Sequence, residues 1–229
     1  MKRYILVIAV VLIGQLGFAQ IIDTNGIQVK IQAEMNFLEY LPRGYVYEAN
    51  WPLIIFLHGS GERGNDLSLV KVHGPLKVAQ EMLLPFVIIA PQCPEGQSWS
   101  AELLNAFLHT ILDGYSIDPG RVYITGLSIG GTGSWEMAKR CPEKISAIAP
   151  ICGRGSVMNI CNLKDVPVWA FHGAKDEIIP LHYSTKTVNE LKKCGGNAKL
   201  TIYPDATHDS WTETYENPLL YDWFLEQSK

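Results

Sequence analysis

The segment Gly126-Leu127-Ser128-Ile129-Gly130 sets a serine between two glycines in the spacing G-x-S-x-G, after an apolar run that ends at Thr125 and before a helix-like stretch from Ser128 to Arg140. A serine on a sharp strand-to-helix turn is held in strained backbone geometry, and small residues two before and two after it prevent collisions. The turn also aims the serine at a helix N-terminus, where free N–H groups and the dipole favour developing negative charge. A serine hydroxyl becomes a nucleophile only when a base takes its proton, and the base needs a third group to fix its tautomer and balance its charge. Later strand ends should therefore supply an acid and a histidine. Asp176 lies in the loop after the apolar run Val166 to Phe171, and His208 in the loop after the run Lys199 to Tyr203. Asp165 precedes its strand, at the wrong end of the sheet. The order Ser128, Asp176, His208 is the one expected for this topology, and the chemistry it predicts is acyl transfer through a covalent intermediate.

Acyl transfer also needs two donors for the oxyanion. Ile129 supplies one backbone N–H by position. The second is expected from Ser60, in His58-Gly59-Ser60-Gly61 directly after the run Leu53 to Leu57. Gln92, Trp99 and Trp211 are candidate substrate contacts, with packing between loops as the alternative role. His58 and His172 each end a buried strand before a glycine, where packing and a loop hydrogen bond are expected. His73, His109 and His182 fall on helical stretches.

Positioning these groups requires strand ends on one side of a sheet. Leu53 to Leu57 is a continuous apolar run, too short for a helix and without a polar face, as in a strand buried on both sides. The pattern recurs at Phe86 to Ala90, Arg121 to Thr125, Ile145 to Ile151, Val166 to Phe171 and Lys199 to Tyr203. Ile27 to Ile31 and Phe37 to Leu41 read as a hairpin at one sheet edge. Helix-like stretches lie between: Leu67 to Met82 (broken at Gly74-Pro75), Ala101 to Tyr115, Ser128 to Arg140, Leu181 to Cys194 and Pro218 to Gln227. Such alternation predicts an α/β protein with a mostly parallel central sheet and helices on both faces.

The 229 residues, 47% of them hydrophobic and 18% charged, suit one domain and exclude a disordered chain. A net charge of −4 without a lysine or arginine run gives no footprint for nucleic acid. Lys2-Arg3, the apolar run Tyr4 to Ile13 and the small residues Gly17 and Ala19 predict a secretory signal peptide over 1–19 and a catalytic domain over 20–229. The run is shorter than the ~20 apolar residues of a membrane span, so no stable span is expected after cleavage. Secretion or periplasmic export would let disulfides form among Cys93, Cys141, Cys152, Cys161 and Cys194. Cys152 and Cys161 are close enough in sequence to bridge a loop, and buried free thiols are the alternative. No CxxC or HExxH occurs, so no metal site is expected. No sequence signal fixes an oligomeric state.

With these residues in view, the chain resembles the α/β-hydrolase superfamily, and within it the small secreted esterases related to the phospholipase/carboxylesterase, dienelactone hydrolase and prolyl oligopeptidase groups. The motifs carrying the resemblance are LHGSGERGND from Leu57, APQCPEGQSW from Ala90, GLSIGG from Gly126, FHGAKDEIIP from Phe171 and HDSW from His208. The resemblance implies a Ser128, Asp176, His208 triad and cofactor-independent hydrolysis of carboxylic esters. The stretch between Ser128 and Asp176 leaves no room for a large lid domain, so an open site suited to short acyl or aryl esters is expected. Acetyl or feruloyl groups on a polysaccharide are the candidate class, alongside small-molecule esters. Two other readings stand beside it: a prolyl oligopeptidase-type peptidase, for whose propeller the chain lacks length, and a non-catalytic binding module. Against the latter, all three triad residues and their flanking glycines stand together.

Overall fold

The computed structural model describes residues 34–46 and 50–229. The expected signal peptide and the expected strand Ile27 to Ile31 lie outside the described residues. Seven strands form one sheet: β1 (Phe37–Tyr40), β2 (Trp51–Leu57), β3 (Val87–Pro91), β4 (Ile117–Leu127), β5 (Ala147–Ile151), β6 (Val168–Gly173) and β7 (Ala198–Tyr203). Their order is β1-β3-β2-β4-β5-β6-β7. β1 lies at the edge, antiparallel to β3, and every other neighbouring pair is parallel.

The continuous apolar runs are explained by burial on both faces. Leu53, Ile55 and Leu57 of β2 enter a core layer with α2 (Ala101–Gly114), α3 (Ile129–Arg140) and α4 (His182–Lys193). The alternating Ile54 and Phe56 enter the opposite layer with α1 (Pro75–Val78), α5 (Trp211–Glu216) and α6 (Pro218–Leu225). All five residues are fully buried. A strand whose odd and even side chains both meet helices has no position left for a polar residue.

The topology places a crevice. From β2 the chain passes to β3 on one side, then returns to β4 on the other. The loops leaving the carboxyl ends of β2 and β4 therefore diverge, as open parallel sheets require at a binding crevice. Ser60 follows β2 and Ser128 follows β4.

The structure differs from the sequence reading in these places. The stretch Leu67 to Met82 holds only a 3-10 turn (Leu67–Lys71) and the short α1, because Gly74-Pro75 breaks the helix. A helix not expected from sequence follows the His208 loop: α5 begins at Trp211, its first turn tied by the Thr212 N–H to Asp209 Oδ1 at 3.0 Å. The disulfide joins Cys161 to Cys194, fastening the 3-10 turn Ile160–Leu163 to the end of α4. Cys152 does not pair with Cys161; it is buried at the end of β5 with its N–H on Phe171 O. No described helix is long and apolar enough to cross a membrane.

Candidate active site

Ser128 caps the start of α3 at φ 54° and ψ −116°, a backbone conformation that side chains rarely adopt. Crowding explains the flanking glycines. A Cβ on Gly130 would lie 1.8 Å from Leu57 O, and one on Gly126 would lie 2.5 Å from Gly130 O. The turn is pinned by the Ser128 N–H to Ile151 O at 3.0 Å and the Thr132 N–H to Ser128 O at 3.1 Å.

The three residues expected from sequence meet. His208 Nε2 lies 2.9 Å from Ser128 Oγ, and His208 Nδ1 lies 2.7 Å from Asp176 Oδ2. Asp176 is an acceptor at that contact, so Nδ1 carries the proton and Nε2 is free to accept from the serine hydroxyl. Asp176 Oδ1 accepts the N–H groups of Ile178 and Ile179, each at 2.9 Å. Its side chain is fully shielded from solvent, and His208 is 18% exposed at its side chain, so the imidazole is the member of the set that meets the open side. An arrangement of this kind can draw the hydroxyl proton onto Nε2 while the carboxylate steadies the resulting imidazolium.

His172 packs behind them. It donates from Nε2 to Ile179 O at 2.7 Å and accepts at Nδ1 from Ser184 Oγ at 2.7 Å. Burial pushes its pKa below the ordinary imidazole value, the state these two bonds require. His58 is likewise lowered by burial; it donates from Nδ1 to Gly59 O at 2.6 Å and accepts the Cys93 N–H at Nε2, 3.0 Å away. It thereby ties the loop after β2 to the loop after β3.

A cavity of about 400 Å³ opens beside Ser128. Ser60 and Ile129 both line it, on opposite sides of the crevice between β2 and β4. As the first residue of α3, Ile129 carries an N–H with no acceptor inside the helix. Trp99 forms a wall, its Nε1–H bonded to His58 O at 3.1 Å.

Two of the expected contacts are placed elsewhere. Gln92 is buried, donating from Nε2 to Glu62 O and Asp66 O at 2.8 Å each; it lines a neighbouring cavity of about 250 Å³ that shares Ser98 and Trp99 with the first. Trp211 packs edge-on against His208, with ring centres 5.5 Å apart, and lines a different cleft with His73. Sequence reasoning missed Glu136, Arg154, Ile178 and Ile179, which do line the Ser128 cavity. A signal for the two isoleucines was available: they follow Asp176 in the same loop.

Among the described residues, Cys152, Asp176 and His208 offer ligand atoms within 4.8 Å of one another. The set suits a hydrogen-bond chain better than a cation. Burial pushes the Cys152 thiol up to about 12, so it holds its proton, and both Asp176 oxygens already accept hydrogen bonds.

The parallel sheet, the serine turn and the hydrogen-bonded chain define an α/β-hydrolase. Residues 95–218, more than half of the chain, match the phospholipase/carboxylesterase family, and the chain belongs to it. The crystal structure of a thermostable esterase is 34% identical with a TM-score of 0.79, over 86% of this chain and 60% of that one. A secreted protein of Arthroderma benhamiae, itself uncharacterized, is 23% identical over 70% of this chain. The bifunctional acetylxylan esterase/xylanase XynS20E of Neocallimastix patriciarum is 26% identical over 57% of this chain. The alignments span about a fifth of the length of these two curated relatives, 21% and 20%. The chain is thus an α/β-hydrolase of the phospholipase/carboxylesterase family.

Proposed function

We propose that the protein is an exported serine esterase that cleaves short acyl or aryl esters through an acyl-enzyme. Ser128 Oγ attacks the ester carbonyl, His208 takes its proton and returns it to the leaving alcohol, and Asp176 orients and balances His208. The N–H groups of Ser60 and Ile129 hold the oxyanion, and water, activated by His208, releases the acid. The observation that carries the reading is the continuous Ser128–His208–Asp176 hydrogen-bond chain. Trp99 bounds the acyl or alcohol pocket. Acetyl or feruloyl groups on a polysaccharide are the substrate class we favour; the acetylxylan esterase relative supports it, as does a Ser128 cavity over which no large lid stands among the described residues.

Export rests on the basic, apolar and small-residue pattern over 1–19. The Cys161–Cys194 disulfide supports an oxidising compartment. N-terminal sequencing of the protein recovered outside the cytoplasm should begin at Gln20.

The test is hydrolysis of a short-to-long series of p-nitrophenyl esters by the protein and by Ser128→Ala. Activity on short chains that vanishes in the variant supports the serine esterase; equal, negligible rates for both remove it. Release of acetate from acetylated xylan, or of ferulate from feruloylated arabinoxylan, then tests the polysaccharide class.

A further inference from the structure

Arg154 lines the Ser128 cavity from the loop after β5. Its backbone N–H is fixed to Thr132 Oγ1 at 2.9 Å, and its guanidinium lies over the Tyr183 ring, 4.8 Å from the centroid. The loop beyond it is held by Lys139, whose ammonium reaches Ser156 O and Met158 O at 3.2 and 3.1 Å. The backbone around Arg154 is thereby held, and its exposed guanidinium rests on the Tyr183 ring at the cavity rim. The other charged side chain of the cavity wall is Glu136, and it is already neutralised by Lys139 Nζ at 2.8 Å. Among the described residues Arg154 forms no ion pair, so the cavity beside the serine carries one uncompensated positive charge.

A planar guanidinium stacked on an aromatic ring keeps its N–H edge free, and that edge matches a carboxylate with two parallel hydrogen bonds. We propose that Arg154 makes the site selective for esters whose acyl or alcohol part bears a carboxylate, such as a uronate or a dicarboxylic half-ester. This rests on the reading of Ser128 as the nucleophile. The carboxylate takes no part in bond making; it docks at Arg154 while the ester carbonyl lies at Ser128.

The experiment measures kcat/KM on matched pairs with the full protein. On the alcohol side the pair is 4-acetoxybenzoate and 4-acetoxybenzamide; on the acyl side it is the mono-p-nitrophenyl ester of adipate and p-nitrophenyl hexanoate. The readout is the anionic-to-neutral ratio for the wild type, Arg154→Gln and Arg154→Lys. Arg154→Gln is expected to lower the ratio about tenfold for one of the two pairs, which identifies the side the carboxylate occupies. Arg154→Lys should retain part of it, and added salt should lower it in the wild type. Ratios unchanged by Arg154→Gln in both pairs overturn the proposal while leaving the serine esterase intact. A wild type no more active than Ser128→Ala on all four esters removes both.

Discussion

His172 Nε2 lies 3.2 Å from Asp176 Oδ2, the same oxygen that receives the His208 Nδ1–H at 2.7 Å. Two imidazoles thus converge on one buried carboxylate, and one of them reaches the serine. Burial holds His172 below its ordinary pKa of 6.5 and does the same to His58. In the unfolded chain both rings take up protons near that value. Their contribution to stability is therefore fully present above pH 6.5 and is lost as pH falls from there toward the folded-state pKa values. Urea unfolding at about pH 7.5 and about pH 5.5 should give the lower midpoint at the acid pH. A midpoint that holds steady or rises on acidification contradicts this account of the two rings.

Asp176→Asn should lower kcat about 10³- to 10⁴-fold with the fold retained. The Ile178 and Ile179 N–H groups require an oxygen at the δ1 position, which turns the new amide nitrogen toward His208. His208 must then offer a lone pair at Nδ1 and keep its proton on Nε2, facing Ser128, where it can no longer accept. Turnover of p-nitrophenyl acetate beside a circular dichroism spectrum checks both halves; an Asn variant within tenfold of the parent would mean that Asp176 does not set the tautomer.

Gly130→Ala should destabilise the protein by at least about 3 kcal/mol. The added Cβ would sit 1.8 Å from the Leu57 carbonyl oxygen, a backbone atom of the inner strand β2. Gly96→Ala makes the comparison, because a Cβ there meets nothing within 4 Å, though its φ of 69° adds some strain. The difference in urea midpoint between the two variants is the measurement, and equal midpoints would count against crowding at the serine turn.

Loss of the Cys161–Cys194 bridge should cost about 3 to 4 kcal/mol by loop-closure entropy, given a sequence separation of 33. Cys161→Ser and Cys194→Ser should each show it, and the double variant should be no worse than either. Cys152→Ser tests a buried thiol instead, and a disulfide in that variant identical to the parent by mass spectrometry of unreduced peptides is the expected result.

The central strands declare themselves in sequence because burial on both faces leaves runs such as Leu53 to Leu57 with no polar interruption. The meeting of Ser128, Asp176 and His208 is equally open to reading, since each follows such a run and the sheet's parallel order brings successive strand ends to one side. What escaped has a physical reason in each case. α5 covers six residues, too few for a helical period to emerge. Gln92 stands next to a strand end in the right loop, yet both N–H groups of its amide go to two carbonyls brought near by the fold of the loop after β2. The partner of Cys161 caps the end of α4, and packing of the 3-10 turn against that helix, unlike distance along the chain, chooses it. Arg154 carries no pattern at all: its place at the cavity follows from the path of an irregular loop.

The backbone of Ser128 has a consequence for how such a protein can change over generations. Holding a non-glycine residue at φ 54° and ψ −116° costs of order 1–3 kcal/mol, which glycine would largely relieve. Ser128→Gly should therefore be among the more heat-resistant single variants of the chain, and it would be inert. Selection for durability alone would favour glycine at position 128, and the strained serine is the more costly residue for the fold to hold.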